Sequence, residues 1–279
     1  MSSGLYLVAT PIGNLRDITL RALDVLRGAD LLACEDTRVT AKLLRAHAID
    51  RPLLSYREHN AERMRPRLLD ALAEGKAVAL MSDAGTPLIS DPGYKLVREA
   101  SAAGHAVTAL PGPSALLAAL CVAALPTDRF LFAGFPPPRR TARKRFLEEL
   151  VPLRATLVFY ETGPRLAESL RDMAEVLGGE RPAAVARELT KLHEETRRAG
   201  LDLLAGHYEA AGPPRGEIVV LVGPPAPEAP PDEAALDEAL RQALAQASLR
   251  DAVEQVAAAS GVARRTVYAR ALALQEPRE

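Results

Sequence analysis

Cysteine is nearly missing from this 279-residue chain: Cys34 and Cys121 are the whole complement, and both sit in apolar stretches. Two such thiols predict buried, reduced side chains rather than a disulfide framework, in keeping with the cytoplasm. Neither sign of charge is in excess, since 35 Lys and Arg stand against 36 Asp and Glu. Any nucleic-acid contact therefore has to come from local basic patches. Long hydrophobic runs are missing as well. The longest, residues 115–125, is too short to cross a bilayer, and no charged-then-apolar leader opens the sequence. The expectation is a soluble cytoplasmic protein with no membrane partner.

Several reactive motifs are also absent. No G-x-G-x-x-G follows a strand, no Gly-Lys-Ser/Thr closes a phosphate loop, and no Gly-x-Ser-x-Gly elbow occurs. His193-Glu194-Glu195-Thr196-Arg197 has arginine where a zincin needs its second histidine. The five histidines and two cysteines lack zinc-ligand spacing, so no metal site is expected.

What is present reads as a globular α/β protein, 48% hydrophobic and 25% charged. Up to residue 126, short apolar runs (5–9, 31–35, 52–56, 77–82, 106–110) alternate with amphipathic ones (20–27, 39–47, 61–74, 94–103, 114–125). That alternation predicts βαβ units on a mostly parallel sheet. Residues 127–223 predict a second α/β domain with a mixed sheet, its strands near 130–135, 155–161, 183–190, 195–198 and 217–222. A proline-dense linker, 224–232, precedes a helical domain over 233–279. There Ala257, Gly261 and Val267 suit two helices crossing at a steep angle, or a plain helical hairpin.

Three small-residue loops follow strands of the first domain: Thr10-Pro11-Ile12-Gly13-Asn14, Ser82-Asp83-Ala84-Gly85-Thr86-Pro87, and Pro111-Gly112-Pro113-Ser114-Ala115. Loops of this kind let a backbone approach a ligand at strand C-termini, which predicts one shared cleft. Ser114 also reads as a helix N-cap, and Asp83 as a cap or Asx-turn residue. The stretch 139–145 holds five cations beside prolines: Arg139, Arg140, Arg143, Lys144 and Arg145. It reads as a phosphate-contact arm or as a solvated helix start. Because cations at a helix N-terminus oppose the helix dipole, a compensating anion is expected nearby.

In order, spacing and wording these loops resemble the tetrapyrrole-methylase superfamily of methyltransferases. Within it they resemble the RsmI family, which methylates a ribose 2′-hydroxyl in 16S ribosomal RNA. The resemblance covers residue 4 to about residue 223 and, more loosely, the tail. It implies two α/β domains of the class III methyltransferase type with a helix-turn-helix-like extension. The implied cofactor is S-adenosylmethionine, held by Pro11, Ala84, Gly85, Thr86, Ile89, Ser114 and Ala115, with Glu161 and Leu189 at the adenine. Thr86 stands where the superfamily usually has aspartate, and Asp83 is a candidate for the missing charge. The implied partners are 16S rRNA in the small ribosomal subunit and a second copy of the chain.

Three polar clusters look peculiar to the RNA branch: Glu35-Asp36-Thr37-Arg38, His59-Asn60, and Arg187-Glu188 with Lys191, His193 and Glu194. Methyl transfer from a sulfonium is chiefly a matter of alignment, and the weakly acidic hydroxyl benefits from a base. Glu35, Asp36, Asp83, Glu188 and His59 are the candidates, with Lys191 or Arg38 supplying positive charge. The sequence does not choose among them. Arg38, His59, Asn60, the 139–145 cations, and Arg264 and Arg265 (with Arg270) in the tail are the expected RNA contacts. Methylation of a tetrapyrrole or other small substrate, and a non-catalytic nucleic-acid-binding protein, remain as alternatives.

Overall fold

The computed structural model describes residues 1–89, 93–226 and 233–275. Residues 90–92 of the second loop, 227–232 of the linker and 276–279 of the tail lie outside the described residues. The chain divides into two compact units, residues 1–225 and 226–279.

The first unit begins with the expected alternation: β1 (Gly4–Val8), α1 (Leu20–Gly28), β2 (Leu31–Cys34), α2 (Thr37–Ala46), β3 (Leu53–Ser55) and α3 (Glu58–Ala73). It continues with β4 (Ala77–Met81), α4 (Tyr94–Ala102), β5 (Val107–Leu110) and α5 (Ala115–Val122). The strands form a parallel sheet in the order β3-β2-β4-β1-β5. Every residue of the central β4 is buried, as expected for a parallel strand covered on both faces. One face packs around Leu26, Leu32 and Leu44, the other around Leu68, Leu80 and Leu96.

The second sheet comprises β6 (Phe130–Gly134), β7 (Thr156–Thr162), β8 (Pro182–Arg187), β9 (Glu195–Gly200) and β10 (Glu217–Val222), in the order β6-β7-β10-β8-β9. It is mixed: β6 and β7 are parallel and the remaining pairs antiparallel. Helices α6 (Arg140–Glu148), α7 (Gly163–Leu177) and α8 (Leu201–Ala211) connect these strands. The core on one face gathers Leu147, Phe159, Leu170 and Leu204.

Three departures from the sequence reading stand out. Helix α5, expected to complete the first domain, packs its Leu116, Ala119 and Leu120 on the second sheet against Val158, Val219 and Leu221. Strand β8 stops at Arg187 rather than at residue 190, because Glu188 (φ 52°) and Thr190 (φ 67°) turn the backbone into the left-handed region. Cys34 is buried as expected, whereas Cys121 is exposed, since α5 turns only one side to the sheet. Among the described residues no helix is long and apolar enough to cross a membrane.

The second unit contains α9 (Glu233–Leu244), α10 (Leu249–Ser260) and α11 (Arg264–Gln275). Gly261, with φ 68°, ends α10 and donates its N–H to Ala257 O, and Val267 is fully buried among Leu240, Val253 and Ala271. Ala257, Gly261 and Val267 thus mark the turn and the packing between α10 and α11, as either a crossing pair or a hairpin requires.

Candidate active site

The three loops emerge at the C-terminal edge of the first sheet from β4, β1 and β5, which are neighbours there. Reciprocal backbone bonds of 2.9 Å join Thr10 to Gly85. The Thr10 hydroxyl donates to Ser82 O at 3.1 Å, and the Ser82 hydroxyl to Gly85 O at 2.7 Å. Thr86 Oγ1 then donates to Pro113 O at 3.2 Å, tying the second loop to the third. Gly85 has φ 77°, a conformation other residues adopt only with strain. A Cβ at Gly112 would meet the Ala9 side chain at 2.8 Å, so this close approach also requires glycine.

These loops form one side of a cleft of about 300 Å³ whose other side is the second sheet. Ala84, Gly85, Thr86, Ile89, Ser114 and Ala115 line it, together with Ile12. Pro11 does not: it is buried, and Ile12 faces the cleft in its place. From the second sheet come Glu161 and Leu189, the two residues that the resemblance assigned to the adenine, with Phe135, Tyr160, Gly216 and Glu217. Those last four were missed. Gly216, placed just before a strand, and the aromatics at the ends of β6 and β7 were the available signals.

Strand alternation clarifies Glu161. Leu157 and Phe159 share its face, which packs under α7, while Val158 and Tyr160 face α5. The Glu161 carboxylate accordingly lies 3.1 Å from Arg165 Nε on α7, although the residue also lines the cleft. Burial pushes its pKa up, and the Arg165 charge opposes that rise. The Tyr160 ring packs edge-on against Phe132 and Phe135, at centroid separations of 4.8 and 5.6 Å.

At the end of β2, beside the second loop, lies the acidic cluster. Asp36 caps α2 by accepting from Arg38 N at 2.8 Å, binds the Arg38 guanidinium, and lies 3.4 Å from Arg57. Hydrogen bonds from Arg38 hold its pKa well below the usual carboxylate range. Asp83 does not line the cleft. Its Oδ1 accepts from Asp36 N at 2.8 Å, a long-range bond that ties the second loop to the end of β2 and is neither the helix cap nor the Asx turn expected of it. Glu35 is half-buried, and burial followed by the nearby Asp83 charge pushes its pKa up. His59 is exposed on α3. Asn60 is spent on structure: its amide oxygen accepts from Arg57 N at 2.7 Å and its nitrogen donates to Ser55 O. Arg38 is exposed, with its guanidinium turned onto Asp36.

Across the cleft mouth, Lys191 Nζ donates to Glu188 Oε1 at 2.7 Å and to Glu217 Oε2 at 2.9 Å. Burial disfavours the ammonium, but these two bonds outweigh it and hold the Lys191 pKa above its ordinary value. Glu188 is lowered by the Lys191 bond and by Glu217 N. The Lys191 stem packs against Gly13, leaving no room there for a Cβ.

The basic stretch is divided by the fold. Arg143 is wholly buried, donates to Asp172 and pairs with Glu168, so it is withdrawn from any nucleic acid. Arg140 and Lys144 pair with Asp172 and Glu175 of α7, which supply the anion expected at this cationic helix start. Arg139 and Arg145 are exposed. In the tail, Arg264 and Arg265 are exposed at the start of α11, but Arg270 is held by both oxygens of Asp237. Among the described residues no three His, Cys, Asp or Glu are placed to hold a metal ion.

The sequence model of the Tetrapyrrole (Corrin/Porphyrin) Methylases matches residues 4–205, and that of the RsmI C-terminal HTH domain matches residues 230–275. A ribosomal RNA small subunit methyltransferase I of Mesorhizobium japonicum is 52% identical, the match covering 99% of this chain and 94% of that one. The Erythrobacter litoralis protein of the same name is 54% identical over 99% of this chain and 96% of its own length. Among solved structures, uroporphyrin-III-C-methyltransferase from Thermus thermophilus shares the fold, with a TM-score of 0.56 and 23% identity over 78% of this chain and 93% of that one. The two-sheet fold, its three-loop cleft and these full-length matches together place the chain in the tetrapyrrole methylase family, in its ribosomal RNA small subunit methyltransferase I branch.

Proposed function

We propose that the protein transfers a methyl group from S-adenosylmethionine to the 2′-hydroxyl of a cytidine ribose in 16S rRNA of the small ribosomal subunit. The observation that carries this reading is the cleft built from three sewn loops, in a chain that matches small-subunit rRNA methyltransferases over nearly its whole length. The cleft suits the donor. It offers apolar walls at Ile12, Phe135 and Leu189, the small-residue loop Ala84–Thr86, and the N-terminus of α5, whose Leu117 N is capped by Ser114 Oγ. S-adenosylmethionine supplies an electrophilic methyl group on a positively charged sulfur. The chain supplies alignment, a sheltered cleft and proton acceptance at its rim.

In the substrate, Arg139 and Arg145 of α6 and Arg264 and Arg265 of α11 bind phosphates, with Arg38 and His59 at the cleft rim. The enzyme works in the cytoplasm as a homodimer. Exposed Leu117 on α5 and Phe130 and Leu131 on the edge strand β6 provide apolar surface for the second copy.

The test is tritium transfer to deproteinised RNA, 30S particles and 50S particles in parallel. A methylated ribose blocks alkaline cleavage, so label is expected in an alkali-resistant dinucleotide containing cytidine, from 30S material. Label in a base, or in 50S particles alone, would contradict the reading.

A further inference from the structure

We propose that Glu35 is the general base of the reaction, a role that rests on the ribose-methylation reading above. Four carboxylates and His59 were candidates; His59 stands exposed on α3, and three of the carboxylates are already committed. Asp36 caps α2 and holds two arginines. Asp83 accepts from Asp36 N. Glu188 Oε1 accepts from both Lys191 Nζ and Glu217 N. Lys191, kept protonated by its two carboxylates, cannot accept a proton. Among the described residues, Glu35 alone of the four makes no side-chain hydrogen bond or ion pair, while its backbone is clamped: Arg57 Nε donates to its C=O at 2.7 Å and Ser55 Oγ at 3.4 Å. A fixed main chain with a free carboxylate is what a base facing an incoming hydroxyl requires.

Its place also fits. Glu35 does not itself line the donor cleft but stands beside it: it directly follows β2, the neighbour of β4, and the next residue's amide is bound by Asp83, which immediately precedes Ala84 and Gly85 of the cleft. Beyond its burial, the charged groups that bear on it are Asp83, Asp36 and Glu58, which raise its proton affinity, and Arg57, which lowers it. The net rise moves Glu35 toward working pH, where a base is most effective. In the step, the ribose oxygen bonds to the donor methyl carbon while the carbon–sulfur bond breaks and leaves its electron pair on sulfur. The hydroxyl proton passes to a Glu35 oxygen and from there to solvent.

Single-turnover methylation of 30S particles across pH by the wild type, Glu35→Gln and Glu35→Asp tests this, with donor and particle affinities measured alongside. The expected result is a Gln variant slowed by about 10²–10⁴-fold with both affinities retained and the acid limb of the pH profile gone. The Asp variant should recover part of the rate with the limb shifted. A Gln variant with wild-type rate and profile, or one whose loss tracks weaker donor or particle binding, overturns the base assignment alone. Wild-type label outside the ribose overturns the function reading and the base with it.

Discussion

Arg143 on α6 donates from Nε to Asp172 Oδ2 on α7 at 2.7 Å, and neither side chain has any solvent exposure. A pair sealed in this way joins two helices of the second sheet's core, and without Arg143 the buried Asp172 keeps only the largely exposed Arg140 as its partner. Arg143→Ala should therefore destabilise the protein by about 3–5 kcal/mol in urea unfolding. Arg145→Ala, two positions on and exposed, should change stability by less than about 0.5 kcal/mol. Equal effects of the two substitutions would mean that the pair does not hold the helices.

The same division sets the expected RNA contacts. Arg139 and Arg145 face solvent, while Arg140 and Lys144 are partly neutralised by Glu175 and Asp172. Replacing Arg139 and Arg145 together with Gln should weaken binding to 30S particles and flatten the slope of log affinity against log salt by about 1.4–1.8. Replacing Lys144 alone should do less than either. Filter binding over a salt series measures both quantities, and an unchanged slope would remove this arm from the RNA interface.

Phe135 is half-exposed at the end of β6 and packs edge-on against Tyr160 in the cleft wall. Its removal takes away an aromatic wall without opening the core. Phe135→Ala should weaken S-adenosylmethionine binding by about 1 kcal/mol, near fivefold in calorimetry. The melting temperature should stay within about 2 °C of the wild type. Unaltered donor affinity would place the donor elsewhere in the cleft.

Strands, loops and caps were largely legible in the sequence because their signals are local. Parallel strands buried on both faces, such as β4, leave continuous apolar runs, and Gly85 and Gly261 mark left-handed conformations that short-range sterics demand. Partners distant along the chain were not legible. Nothing in the run around Arg143 announces Asp172, 29 residues further on, so a buried cation was read as surface. Helix α5 is apolar on all sides, and its sequence does not say which sheet it covers. Glu161 shows the middle case: strand period alone turns its carboxylate toward α7, and only the structure places Arg165 there.

In the tail, Arg264 and Arg265 are exposed on α11, whereas Arg270 bridges to Asp237 on α9. Reversing charge at Arg264 and Arg265 to Glu should raise the apparent Michaelis constant for 30S particles and leave donor affinity alone. Arg270→Ala should instead loosen the three-helix unit, seen as faster amide exchange across α9 and α11. Unchanged particle kinetics in the double Glu variant would leave the tail a purely structural element.

Glu35 and Asp36, adjacent in sequence, should pull acid stability in opposite directions. Burial and the Asp83 charge raise the Glu35 pKa in the folded protein, so folding binds its proton more tightly than the unfolded chain does. Stability is then lost as pH rises from the ordinary glutamate value through the raised one, and the cost stays in force at neutral pH. Glu35→Gln should accordingly melt higher than the wild type at pH 7.5, and the gain should vanish near pH 4. Hydrogen bonds from Arg38 lower Asp36, so its contribution is present above the ordinary aspartate value and fades as pH falls below it. Asp36→Asn, which keeps the α2 cap, should melt lower than the wild type at pH 7.5 and converge with it in acid. Thermal melts of both variants at the two pH values make the comparison. A Gln variant that is less stable at pH 7.5 would show Glu35 to be a structural anchor, a poor fit for a residue kept free to take a proton.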